Sequence, residues 1–191
     1  MKRFLFQSLR LLALSALGGA AWVAHRAETL PPVAAPAEKG KENDVLGDLR
    51  QAAIKRTTII EIKEAELNRY LAATLSTRIG GEMGQGFRLN GVRVDLEPGQ
   101  ARVVLVWEFY GHPRTASIDL VVRRVDDHFH VEMLGGAFGH LRLPRGMMRP
   151  LYPTLDTVTS ALDQEIKALF QMTQITLAKD KLVLDSRFPT A

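Results

Sequence analysis

The chain has 191 residues, no cysteine, 46% apolar residues and a formal net charge of +4. These values exclude wholesale disorder, disulfides, a thiolate nucleophile and any Cys-ligated metal. Four of the 25 Lys and Arg fall in the first 27 residues and the 21 that remain match the 21 Asp and Glu, so the body is neutral and gives no prior for a nucleic-acid partner, which needs a basic face.

The N-terminus is an address. Lys2, Arg3 and Arg10 precede an uncharged apolar run of 14 residues, 11–24, closed by His25 and Arg26. That run is shorter than the roughly 20 residues of a comfortable bilayer span and suits a signal-peptide core, while extension back to Phe4 reaches spanning length with Arg10 snorkelling. Residues 1–27 therefore read as a signal peptide or membrane anchor. Gly18, Gly19 and Ala20 offer a cleavage site; Trp22 and Val23 suit a retained interfacial end, and the anchor is the favoured reading. Lys2 and Arg3 hold that end in the cytoplasm and place the body outside, in the periplasm or on the cell surface. Residues 28–43, with Pro31, Pro32 and Pro36 among Ala, Lys and Glu, read as a tether.

Residues 44–191 read as one α+β domain. Val45, Leu46, Leu49, Ala53 and Ile54 line one side of a short helix capped by Asp44. The β-branched run at 57–62 is a strand. Leu67, Tyr70, Leu71, Thr74 and Leu75 recur at helical spacing, with Glu64 and Glu66 in the first turn and Gly80–Gly81 as terminator. Asn68 lies one step off that stripe, where it could hydrogen-bond across a helix edge or simply face water, and the second is the favoured reading. The glycine-rich stretch 80–86 runs from helix to strand, the reverse of a phosphate-cradling order, and reads as a connector.

Four strands follow, divided by turns at Glu97-Pro98-Gly99-Gln100, Gly111-His112-Pro113 and Asp126-Asp127, which predicts an antiparallel meander. Alternation puts Val92, Val94, Leu96, Val103, Leu105, Trp107, Phe109, Ile118, Leu120, Val122, Phe129, Val131 and Met133 on one face. Arg93, Asp95, Arg102, Glu108, Asp119, Arg123, His128, His130 and Glu132 fall on the other, with Val104, Val106 and Val121 suggesting that part of it is covered too. A helix over 155–170, with Leu155, Val158, Leu162, Ile166, Leu169 and Phe170 in a stripe, covers the apolar face. A hairpin about Lys179-Asp180 closes the chain. The predicted architecture is a curved antiparallel sheet packed around or against this long C-terminal helix.

The stretch 135–155 leaves the sheet oddly. Gly135, Gly136 and Gly139 permit a bend or close backbone approach, and Pro144 is expected to stop pairing. Met147, Met148, Leu151 and Tyr152 then sit on a short turn of helix. They either plug the open end of the sheet as core or line the mouth of an apolar ligand site. The motif Glu66-Leu67-Asn68, together with Gly139, Leu141, Leu143 and Pro144, resembles the YpmS-type family of membrane-anchored bacterial proteins of unassigned function. The resemblance covers roughly 57–185. It implies an extracytoplasmic sheet-around-helix domain and carries no catalytic residues.

His128, His130 and Glu132 share one face of a strand at a period of two, a set of metal-ligand type, with His112 or His140 as a further ligand if folding brings them close; a polar outer face explains them more simply. No Gly-x-Ser-x-Gly elbow or Walker lysine occurs. The expectation is a non-catalytic, membrane-tethered domain without cofactor or metal, binding a lipid or other apolar small molecule. Val103, Leu105, Trp107, Phe109, Met147, Met148 and Tyr152 are its expected lining. The alternative is an envelope scaffold or assembly partner with a fully packed interior.

Overall fold

The computed structural model describes residues 2–26, 45–55, 59–79, 87–125 and 128–187. The tether, the Asp44 cap, the 80–86 connector and the Asp126-Asp127 turn lie outside the described residues. The order is α1 (Lys2–His25), α2 (Val45–Lys55), β1 (Ile59–Lys63), α3 (Glu64–Ile79), β2 (Phe87–Glu97), β3 (Gln100–Phe109), β4 (His112–Val125), β5 (His128–Phe138) and β6 (Leu141–Pro144). A 3₁₀ turn (Arg145–Leu151), α4 (Tyr152–Ala161), α5 (Asp163–Phe170), β7 (Gln174–Ala178) and β8 (Lys181–Asp185) complete it.

The fold is α+β with antiparallel sheets, as the alternation predicts. β2 to β6 form one meander in chain order. Its inward face, carrying Leu89, Val92, Leu105, Trp107 and Ile118, packs on Leu71 and Leu75 of α3, Met148 and Leu151 of the 3₁₀ turn, and Val158 of α4. Each such aliphatic side chain removed from water contributes about 1.5–3 kcal/mol. Two bulges interrupt the ladder. Asn90 is the extra residue between Leu89 and Gly91, and Leu134 the extra residue opposite Asp119 and Leu120. Bulges bend a strand and sharpen its twist, and the second falls beside Gly135 and Gly136.

Four expectations need correction. Leu141–Pro144 is not a corner but the edge strand β6, whose pairing ends at Pro144, opposite Gly135. An edge position tolerates proline because one side of the strand needs no donor. The β3–β4 turn is centred one residue earlier, on Tyr110 and Gly111, both at positive φ. The C-terminal helix starts at Tyr152 and breaks at Leu162 (φ −107°, ψ 18°), giving α4 and α5. The break lets α4 serve the meander core while α5 turns Ala168 into a second core.

Asn68 is the fourth. It is buried; its Nδ2 donates to the Val94 carbonyl (2.8 Å) and its Oδ1 accepts from the Val94 N–H (2.7 Å). Glu64 Oε2 likewise accepts from the Leu96 N–H at 2.8 Å. Two α3 side chains thus supply the partners that β2, at the sheet edge, lacks on its outer side.

The closing hairpin does not extend the meander. β8 pairs with β7 and with β1, making a separate sheet of order β1-β8-β7. Val45, Leu49 and Ala52 of α2, Ile62, Leu182, Leu184, Ala168 and Met172 form its core with Leu96. Two backbone bonds tie the sheets together, Gly99 N–H to Leu177 (2.9 Å) and Asp180 N–H to Leu96 (3.1 Å), while Glu64 N–H to Asp180 (2.9 Å) prolongs the β1–β8 ladder.

Candidate functional site

The residues expected to line an apolar site divide sharply. Leu105 and Met148 are fully buried and Trp107 nearly so, in contact with the covering helices. Val103 is partly buried against the same cluster. Met147 and Tyr152 point outward, with 58% and 46% of their surface exposed. The Phe109 side chain is outside the described residues. Packing is tight where the 3₁₀ turn meets the sheet. A Cβ at Gly136 would fall on the Ser117 carbonyl and within 2.5 Å of Met148 Cε. Trp107 also packs edge-on against Phe138, ring centroids 6.3 Å apart. The first contact seats the 3₁₀ turn directly on β4 and β5, and the second joins β3 to β5.

A recess lies on the other side. A cleft of about 480 Å³ is lined by Asp95, Glu97, Gln100, Arg102, Asp119 and Arg142, with Leu134, Gly135, Gly136 and Leu143. The strands present these charges because they occupy the outward half of the alternation. Arg102 Nε bonds Asp119 Oδ1 (2.9 Å) and Arg93 Nε bonds Asp95 Oδ1 (2.7 Å), so the floor is a lattice of ion pairs. Beneath it Val104 is fully buried, in register between Arg93 and Ser117. This agrees with the suspicion that part of the polar face is covered. The lining suits a polar or charged surface rather than an acyl chain.

A buried polar network went unread in the sequence. Glu165 of α5, only 6% exposed, accepts from the Tyr70 hydroxyl (2.5 Å) and from Arg78 Nη1 (3.1 Å), and Arg78 also donates to the Ala161 carbonyl. Burial, then the hydrogen bond to Glu165, pushes the Tyr70 phenol up to about 12. Burial works to raise the Glu165 carboxyl, but the Arg78 guanidinium and the Tyr70 hydroxyl outweigh it and hold the group below its ordinary value. The network ties α3 to α5 and is a structural lock: the described side chains in it satisfy one another. One signal was available, since Glu165 falls seven residues after Val158, inside the apolar stripe where a solvated carboxylate does not belong.

His128, His130 and Glu132 are exposed on the outer face of β5, and Glu132 lies 4.0 Å from Arg145. Among the described residues no group of three or more His, Asp or Glu is arranged to hold a metal. At the N-terminus, Phe6–Val23 of α1 is long and apolar enough to cross a membrane and none of it is buried. It is a candidate membrane anchor or signal sequence. The Arg26 guanidinium sits 4.6 Å over the Trp22 ring. No protein-family model matches the chain, and no curated protein does.

Proposed function

We propose that this is a membrane-tethered, non-catalytic domain held outside the cytoplasmic membrane, acting as a scaffold or assembly partner of envelope proteins through its outer surface. The observation that carries this reading is the close packing of the sheet on the elements that cover it: Leu105, Ile118 and Met148 are fully buried, and Gly136 has no room for a methyl group. The polar cleft is then the working recess, with Arg142 as its exposed edge. The resemblance to the YpmS-type family supports the same placement, and its two motif segments have structural roles here: Asn68 closes the β2 edge and Leu141–Pro144 forms β6. A photocrosslinker at Arg142 in cells is expected to give one discrete protein adduct that is lost when Asp119→Lys disturbs the cleft. A smear of unrelated adducts, unchanged by that substitution, counts against the reading.

A second reading, binding of a lipid or another apolar small molecule between the sheet and the 3₁₀ turn, draws support from Met147 and Tyr152, which are exposed beside the buried Met148. It requires Met148 to swing away from Gly136. Mass spectrometry of the purified chain separates the two, since stoichiometric co-purifying lipid favours the second and its absence the first.

A further inference from the structure

The end of the meander nearest α1 breaks a local rule. Tyr110 adopts φ 46° beside Gly111 at φ 77°, the two left-handed positions of a hairpin turn that favours Asn, Asp or Gly. A bulky aromatic there is an outlier, and 72% of this one is exposed, so core packing does not compensate the strain. The neighbouring β5–β6 turn is tied to this hairpin, because the Gly139 N–H donates to the Thr115 carbonyl at 2.8 Å. It is also tied to α1. The His140 N–H donates to the Val23 carbonyl (3.4 Å), one of the carbonyls left without a partner at a helix C-terminus. That contact sets the turn level with Trp22, the aromatic at the outer end of the apolar helix.

Charge is segregated here as well. The body is neutral, yet no Asp or Glu occurs from 109 to 118 or from 133 to 155. His112, Arg114, His140, Arg142, Arg145 and Arg149 fall in those two stretches. His112, His140 and Arg142 are exposed at this end and Arg114 is partly so; Arg145, with Glu132 4.0 Å away, and Arg149 follow β6, and Arg142 also borders the cleft that Asp95, Glu97 and Asp119 line. An exposed tyrosine among cations at the depth of an interfacial tryptophan is the composition that headgroups select.

We infer that this end of the sheet, with Tyr110 at its tip and Arg114 and Arg142 beside it, rests on the surface of an anionic phospholipid bilayer. The contact orients the domain, leaving the far end, with the Pro98-Gly99 and Lys179-Asp180 turns, away from the lipid. The inference rests on the proposed tether, since α1 delivers this end to the surface.

The absence of cysteine permits a direct test with the full-length chain in vesicles of phosphatidylcholine alone or mixed with phosphatidylglycerol. A fluorophore on His112→Cys is read against headgroup spin labels, with Lys179→Cys as the far-end control and Leu14→Cys, read against acyl-chain labels, reporting α1. Quenching at His112 but not at Lys179, strongest in the mixed vesicles, is expected. Arg114→Gln and Arg142→Gln should each weaken this contact about fivefold, as one interfacial charge is worth. Tyr110→Asn should reduce the quenching while raising thermal stability, an opposition that a purely structural turn residue does not produce. Equal signals at His112 and Lys179 in mixed vesicles, or no effect of Tyr110→Asn on quenching, overturn the inference. The Leu14 reading decides the anchor separately: an embedded Leu14 with an unquenched His112 leaves the tether standing and removes the surface contact.

Discussion

The meander and the three-stranded sheet bury side chains of the same kind, but opposite sorts of sequence information assemble them. β2 to β6 pair only with their chain neighbours through short turns. β1 pairs with β8, and the Glu61–Lys181 ion pair that flanks this ladder joins positions 120 apart. Closing so long a loop costs entropy before any contact repays it, so the small sheet should form after the meander. Leu67 and Val94 pack against both cores, and the helix break at Leu162 sends α4 to one and α5 to the other. The lesson is that a locally written sheet serves as template for one whose local β7–β8 hairpin is completed by a strand from a distant stretch of the chain.

Truncating each core at a fully buried leucine is the severest way to break that comparison. Leu105→Ala in the meander and Leu184→Ala in the small sheet should each cost about 2–5 kcal/mol. Urea titrations followed by circular dichroism should show one transition in both variants. A second, earlier transition in Leu184→Ala alone would mean that the small sheet melts by itself. Gly136→Ala comes next. Its methyl group has no space beside Ser117 and Met148, and overpacking of this kind costs about 1–3 kcal/mol; an unchanged midpoint would show that β5 yields freely.

Asn68→Ala attacks the seam. It leaves both backbone groups of Val94 without their partner, at a cost of about 1–3 kcal/mol, and hydrogen exchange at Val94 should accelerate more than at Leu105. The smallest effect is a pH dependence. The Tyr70 phenol titrates higher in the fold than in the unfolded chain, so the stability it contributes is complete below pH 10.0 and lost as pH rises towards about 12. Glu165 is displaced downward, so its contribution is present above its ordinary pKa of 4.5 and lost as pH falls through the depressed native value. Thermal melts of Tyr70→Phe should lack the alkaline limb, and those of Glu165→Gln should flatten the acid limb.

Much of the candidate site was legible through alternation alone. Asp95, Arg102 and Asp119 fall on the polar face by counting in twos, and the cleft is built from that face. Arg142 escaped because Leu141–Pro144 is only four residues long and ends in proline, which reads as a stop rather than as an edge strand. Tyr70 and Glu165 escaped because each sits in an apolar stripe, and periodicity does not say that a phenol and a carboxylate in two stripes will meet. The placement of Met147 and Met148 followed the same limit. Adjacent residues on one 3₁₀ turn point in different directions, and only the position of Gly136 beneath the turn selects which is buried.

The amino-acid order by itself determined the apolar N-terminal helix, the antiparallel meander and the face that β2, β3 and β4 turn inward, because these depend on composition and on repeats within a few residues; Val131 of β5, counted on that face, is half exposed. The tertiary structure alone decided that β1 and β8 meet, that Asn68 finishes the β2 edge, that Glu165 is locked between Tyr70 and Arg78, and that Met148 packs onto Gly136 while the cleft on the opposite face is polar. Those outcomes depend on which distant side chains share one volume. No local repeat records that, and close packing resolves it only when the whole chain has found its place.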